Sequence, residues 1–112
     1  MGVHIDISYE DQAAVITLAG DADVAGLEVW AKPLGEAGSA EVVVVDVDQA
    51  RLVDQQALSY LLNVLDDPGR PWRLRLVARR SSLTGQLAAW KVHHRVAIHP
   101  NIKDALACRG PR

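Results

Sequence analysis

The chain has 112 residues, 49% of them hydrophobic and 23% charged, with a formal net charge of −2. That suits one globular core and is too short for two, and the charge gives no global attraction to nucleic acid. The one cysteine, Cys108, excludes an intrachain disulfide and a cysteine-rich metal site.

A reducing, cytoplasmic setting fits such a chain. Its first residues, MGVHIDISYEDQ, lack the charged-then-apolar layout of a secretory signal. No stretch approaches the length needed to span a bilayer, so a protein that does not cross a membrane is expected.

Residues 3–8 alternate, with Val3, Ile5 and Ile7 on one side and His4, Asp6 and Ser8 on the other. That is a half-buried strand. A polar turn, Glu10-Asp11-Gln12, leads to the apolar run 13–19, which predicts an antiparallel hairpin. Gly20-Asp21-Ala22-Asp23 ends the second strand, and Asp23 can N-cap a helix over residues 24–37. Leu27, Trp30, Ala31 and Leu34 supply its apolar face. Pro33 inside an unbroken helix costs about 3 kcal/mol, so a kink or a second short helix is expected there.

The stretch 42–65 organises the rest. Residues 42–47, VVVVDV, predict a strand buried on both faces, followed by a tight loop. A helix over residues 55–65 places Leu58, Leu61, Leu62 and Leu65 on one face, with Asp54 just before it as N-cap. A helix start at the carboxyl end of a central strand is a natural recognition site, so function is expected near residues 54–57. Asp66-Asp67-Pro68-Gly69 stops the helix.

Residues 72–78, WRLRLVA, predict a strand with Leu74 and Leu76 inward and Arg73 and Arg75 outward. Ser81-Ser82 open a helix to about Lys91, with Leu83, Leu87 and Trp90 on one face. A short strand at 95–98 and a helix at 100–107 follow, and residues 109–112 form a loose tail. The order is β-β-α-β-α-β-α-β-α, an α/β domain of residues 1–112 with a mixed sheet packed against helices on one or both faces.

These residues resemble the STAS domain, the sulfate-transporter and anti-sigma-factor-antagonist family. Residues 19–23, AGDAD, match the family's strand-end G-x-x-D motif. Residues 43–47 match its buried central strand ending in Asp, and residues 52–58, LVDQQAL, match the signature that opens its second helix. The resemblance implies a STAS-type sheet. It also implies a module that binds an anti-sigma factor or serine-protein kinase of the GHKL type. Asp21, Asp23, Asp54, Gln55, Gln56 and Ser59 would form the partner-binding face.

One departure matters. Where switchable members carry a phosphorylated Ser or Thr, this chain has Gln56, beside Gln55. Neither has a hydroxyl, so no phosphorylation is expected at Gln56. A phosphoryl group would add about −1.5 to −2 charges, whereas neutral Gln resembles the unmodified state. Ser59 is the nearest hydroxyl and the substitute phosphosite, although a solvated helix residue is the simpler reading. Ala57 stands where the family has Gly, which stiffens the helix start.

Other readings stay open. Asp54 serves as cap, as partner contact or as both, and Asp21 and Asp23 read equally as lining of the binding face and as a turn plus a cap. Asp46 and Asp48 make a poor metal signal, and His93 and His94 on a strand would point to opposite sides. No metal or cofactor is expected. The run Arg73, Arg75, Arg79 and Arg80 reads as a basic strand face, and Trp72 as partly exposed. No G-x-S-x-G, Walker, G-x-G-x-x-G or H-E-x-x-H pattern occurs, so a non-enzymatic protein is expected. Alternatives are a structural STAS subunit, in a stress-signalling assembly with other STAS proteins or on the ABC ATPase of a lipid-transport system, and a nucleotide or small-molecule sensor.

Overall fold

The computed structural model describes residues 2–52, 54–66 and 69–107. Strands β1 (Val3–Glu10) and β2 (Ala13–Ala22) form the antiparallel hairpin. Helices α1 (Val24–Glu28) and α2 (Ala31–Ala37) follow, then β3 (Val42–Leu52) and α3 (Gln55–Leu65). A 3-10 turn at Pro71–Arg73 leads into β4 (Leu74–Val77), then α4 (Ser81–Ala89), β5 (Ala97–His99) and α5 (Ile102–Ala107). The sheet order is β1-β2-β3-β4-β5, with β2 to β5 mutually parallel. The mixed α/β sheet expected from the sequence is present.

The valine run makes β3 the middle strand, and its side chains divide between two cores. Val43, Val45 and Val47 join the leucines of α1 to α4 on one face. Val44 joins Val15, Val77 and Ala105 under α5 on the other. Thus α1 to α4 cover one face, as consecutive parallel crossovers of one hand require, and α5 alone covers part of the second. Burial of the four α3 leucines follows their spacing, and Ala57 is fully buried with them.

Several boundaries differ from the sequence reading. Of the kink or second short helix expected near Pro33, the structure has the second helix, with the break earlier, at Val29–Trp30. Pro33 falls in the first turn of α2, where its missing N–H is no loss. Trp30 is half-buried, with its ring edge-on to His4 at 6.1 Å, and Ala31 is exposed.

The loop expected after Val47 is instead more strand, because β3 runs on to Leu52. A bulge makes this possible. Thr17 pairs with Asp46 but Ala19 pairs with Gln49, so β3 carries one extra residue and then pairs with the end of β2. Gly20 sits in that segment at φ +87°, and a Cβ there would meet the Gly2 carbonyl oxygen at 2.8 Å. Only glycine allows β1 to approach so closely.

Arg73 and Arg75 do not face solvent. They are 4% and 2% exposed. Arg73 lies in the 3-10 turn and reaches under the end of α2, donating to the Gly38 carbonyl at 2.6 Å and to that of Ala40. Arg75 donates to the Ala105 carbonyl in the last turn of α5 at 2.7 Å and to Trp72 at 3.1 Å. A cation beneath a helix carboxyl end is favourable to the helix dipole. The alternation of Leu and Arg in β4 is therefore two kinds of burial, because the strand is interior and covered on both faces. Trp72 is 37% exposed.

Helix α4 ends at Ala89, short of Lys91, and β5 lies two residues later than expected at its start. His93 and His94 sit on a 3-10 turn rather than a strand, with their rings 4.2 Å apart. Helix α5 starts after Asn101, whose side chain accepts from the Asp104 amide at 2.8 Å. Val53, Asp67, Pro68, Cys108 and the tail at 109–112 lie outside the described residues.

Candidate functional site

The carboxyl ends of β2, β3 and β4 lie at one end of the sheet, and each strand leads into a helix there. Two of those helices are capped by aspartates. Asp23 accepts from the Gly26 amide at 2.7 Å and Asp54 from the Ala57 amide at 2.9 Å. Both residues have extended backbones, so each carboxylate folds back over its helix start. Asp23 and Asp54 are caps, as their position in the sequence implies.

The two starts are neighbours. Ala22 pairs with Leu52, and α1 packs against α3. Asp21 is half-buried near the end of β2, opposite Arg51, with the carboxylate 3.9 Å from the guanidinium. Gln55 and Gln56 are exposed in the first turn of α3, and Ser59 is half-buried one turn on. Thus Asp21, Asp23, Asp54, Gln55, Gln56 and Ser59 come to one end of the sheet. Ala57 does not reach this surface. It faces the core, so stiffening of the helix start and packing are its contribution.

A second set of polar groups lies beside the first. The bulge in β3 turns Asp48 toward the start of α4, and Asp46 steadies it by accepting the Asp48 amide at 2.9 Å. One Asp48 oxygen accepts the backbone N–H of Arg79 at 2.7 Å and of Arg80 at 2.9 Å. These two amides, of Arg80 first, hold the Asp48 carboxyl below its ordinary value, and burial opposes them. Asp48 is thus a structural tie, not a free acid. The sequence reading did not find it, because an aspartate just past the expected strand end at residue 47 carries no local sign of a partner about thirty residues away.

On the other face, the Nε2 of His99 is shielded from solvent and has no hydrogen-bond partner. Burial, together with the nearby Arg75 guanidinium, lowers the His99 pKa, and Asp104 partly offsets this. Among the described residues, no group of three or more His, Cys, Asp or Glu side chains is placed to hold a metal ion. No helix among them is long and apolar enough to cross a membrane.

The chain matches no protein-family model and no curated protein sequence. Its fold has close counterparts among solved structures. An anti-sigma factor antagonist from Mycobacterium paratuberculosis superimposes with a TM-score of 0.79 at 18% identity, over 94% of this chain and 92% of that one. SpoIIAA, an anti-sigma factor antagonist, superimposes in its unphosphorylated form with a TM-score of 0.63 at 12% identity, over 92% of this chain and 94% of that one. The Bacillus cell fate determinant SpoIIAA in its phosphorylated form gives the same TM-score and identity, over 92% and 96%. The fold is therefore the STAS-type, SpoIIAA-like fold of the anti-sigma factor antagonists. The family resemblance read from residues 19–23, 43–47 and 52–58 pointed to this fold.

Proposed function

We propose that the protein is a non-enzymatic, cytoplasmic interaction module. It binds an anti-sigma factor or GHKL-type anti-sigma kinase through the start of α3 and the adjoining end of β2. Binding would release a sigma factor by competition, with no chemistry on this chain. The observation that carries the reading is the exposure of Gln55 and Gln56 at a helix start whose other polar group, Asp54, is already engaged as its cap. The amides are free to meet a partner, and Asp21 and Asp23 extend the same surface with negative charge.

The module is not switched off at this surface. Gln56 cannot accept a phosphoryl group, and Ser59 is half-buried. Neutral amides here would keep the binding-competent character permanently. A second, basic contact face for a transporter ATPase would rest on Arg79 and Arg80, which are exposed, since Arg73 and Arg75 are buried and donate to backbone carbonyls.

Isothermal titration of the full chain into the GHKL-type anti-sigma kinases of its own genome tests the proposal. One kinase should bind with Kd of about 1 μM or tighter. Gln56→Glu, which restores negative charge at this point, should weaken that binding about tenfold. Binding by no kinase would overturn the reading in favour of a structural subunit.

A further inference from the structure

We propose that the cleft between the overhanging end of β3 and the start of α4 is a docking groove for an acidic, extended segment of a partner protein. The groove exists because the two strands differ in length. β4 stops pairing with β3 at Asp46, opposite Val77, whereas β3 continues to Leu52 with only β2 beside it. Among the described residues, the far edge of residues 47–52 therefore has no neighbouring strand.

Side chains of α4 stand where that strand would be. Arg80 Nη2 donates to the Ala50 carbonyl at 2.7 Å, and Gln86 Nε2 to the Leu52 carbonyl at a long 3.4 Å. An incoming extended chain carries main-chain N–H groups that suit the Leu52 carbonyl and the second lone pair of the Ala50 carbonyl, which is how strand addition gains affinity. The Gln86 contact is long enough to be displaced at little cost.

The chemistry of the cleft selects the occupant. Its volume is about 430 Å³, with Ala50, Leu52 and Leu83 as apolar lining and Arg51, Arg80, Ser82 and Gln86 as polar lining. The Arg51 side chain is 76% exposed and meets Asp21 only at 3.9 Å. Arg80 is partly exposed and meets Asp48 only at 3.9 Å, and Arg79 is exposed next to it. Asp48, the nearby acid, is occupied by two backbone amides. A strand that alternates apolar and acidic residues would set the first on the lining and the second on the arginines. This groove is independent of which protein covers Gln55 and Gln56.

The test is an amide NMR titration of the full chain with a capped pentapeptide alternating Glu and Leu. The amides of Ala50, Leu52, Arg80, Ser82 and Gln86 should shift and saturate with Kd of about 0.1 mM. Arg51→Glu and, separately, Ser82→Glu should each raise that Kd about fivefold while leaving the rest of the spectrum in place. A Lys and Leu peptide should give no shift at these amides. No saturable shift below about 2 mM, or an equal response to the lysine peptide, would overturn the proposal. So would inorganic phosphate moving the same amides as strongly, which would make the cleft a small-anion site.

Discussion

Asp48 and Arg80 face each other across the gap that β4 leaves at the end of β3. One oxygen of the Asp48 carboxylate accepts the Arg80 amide at 2.9 Å, and the Arg80 guanidinium in turn donates to Ala50, two residues beyond Asp48. The pair joins the bulged strand to the start of α4, a helix whose N-cap residue makes no side-chain cap of its own. Asp48 therefore does for α4 from a distance part of what Asp23 and Asp54 do locally for α1 and α3.

Replacing Asp48 by Asn should cost about 1–2 kcal/mol, since two backbone donors lose a charged acceptor. The Asp48 pKa is lowered in the folded state, so its contribution is present above the ordinary value of 3.8 and fades as pH falls through the folded value. Urea melts of wild type and Asp48→Asn should differ at pH 7 and converge in strong acid.

Arg75 should be harder to replace than its place in a Leu-Arg alternation suggests. Arg75→Met fills much of the volume but leaves the Ala105 and Trp72 carbonyls without their donor. A loss of about 2–3 kcal/mol is expected. Hydrogen exchange should show the protection of residues 102–107 falling first, because α5 is the element that Arg75 holds.

His99 predicts a pH dependence of the opposite sign to a paired histidine. Its folded pKa lies below the ordinary 6.5, so the unfolded chain binds the proton more readily. Stability is full above 6.5 and falls as pH drops from there toward the folded value. Thermal melts between about pH 7.5 and 5.5 should show this decline, and His99→Gln should flatten it.

These tests touch residues that differ in how far the sequence disclosed them. The fold was legible where one strong local signal sufficed. The valine run, the α3 leucines at helical spacing and the two capping aspartates each state their role within a few residues. The motif set around Gly20, Asp46 and Asp54 then ordered the elements. Arg73, Arg75 and Asp48 were not legible, because their partners lie about thirty residues away and their burial depends on which strands are interior. The length of β3 was hidden for a related reason. Asp48, Gln49 and Arg51 look like a loop, and only the bulge, a feature of pairing with β2, keeps them in the sheet. The grouping of Asp21, Asp23, Asp54, Gln55 and Gln56 came from the family resemblance, and the parallel pairing of β2 with β3 supplies its physical basis.

Gln56 offers a restoration experiment. Gln56→Ser places a hydroxyl at an exposed position in the first turn of α3, where the capped helix start is already formed. If a GHKL-type kinase binds this surface, that variant should take up phosphate where the wild-type chain does not, and its complex should weaken about tenfold once modified. Asp54→Ala is the structural control. It should lower stability by about 1 kcal/mol through loss of the cap, and its binding defect should appear with or without ATP.

The central claim is an antagonist-like binder with no phosphorylation switch. It is tested most directly by incubating the wild-type chain with the anti-sigma kinases of its genome and radiolabelled ATP, following complex formation and phosphate incorporation in the same samples. A stable complex with one kinase, and no label on this chain, is the predicted result. Label on this chain would contradict the claim and direct attention to Ser59 or another hydroxyl, and the absence of any complex would contradict the binding surface itself.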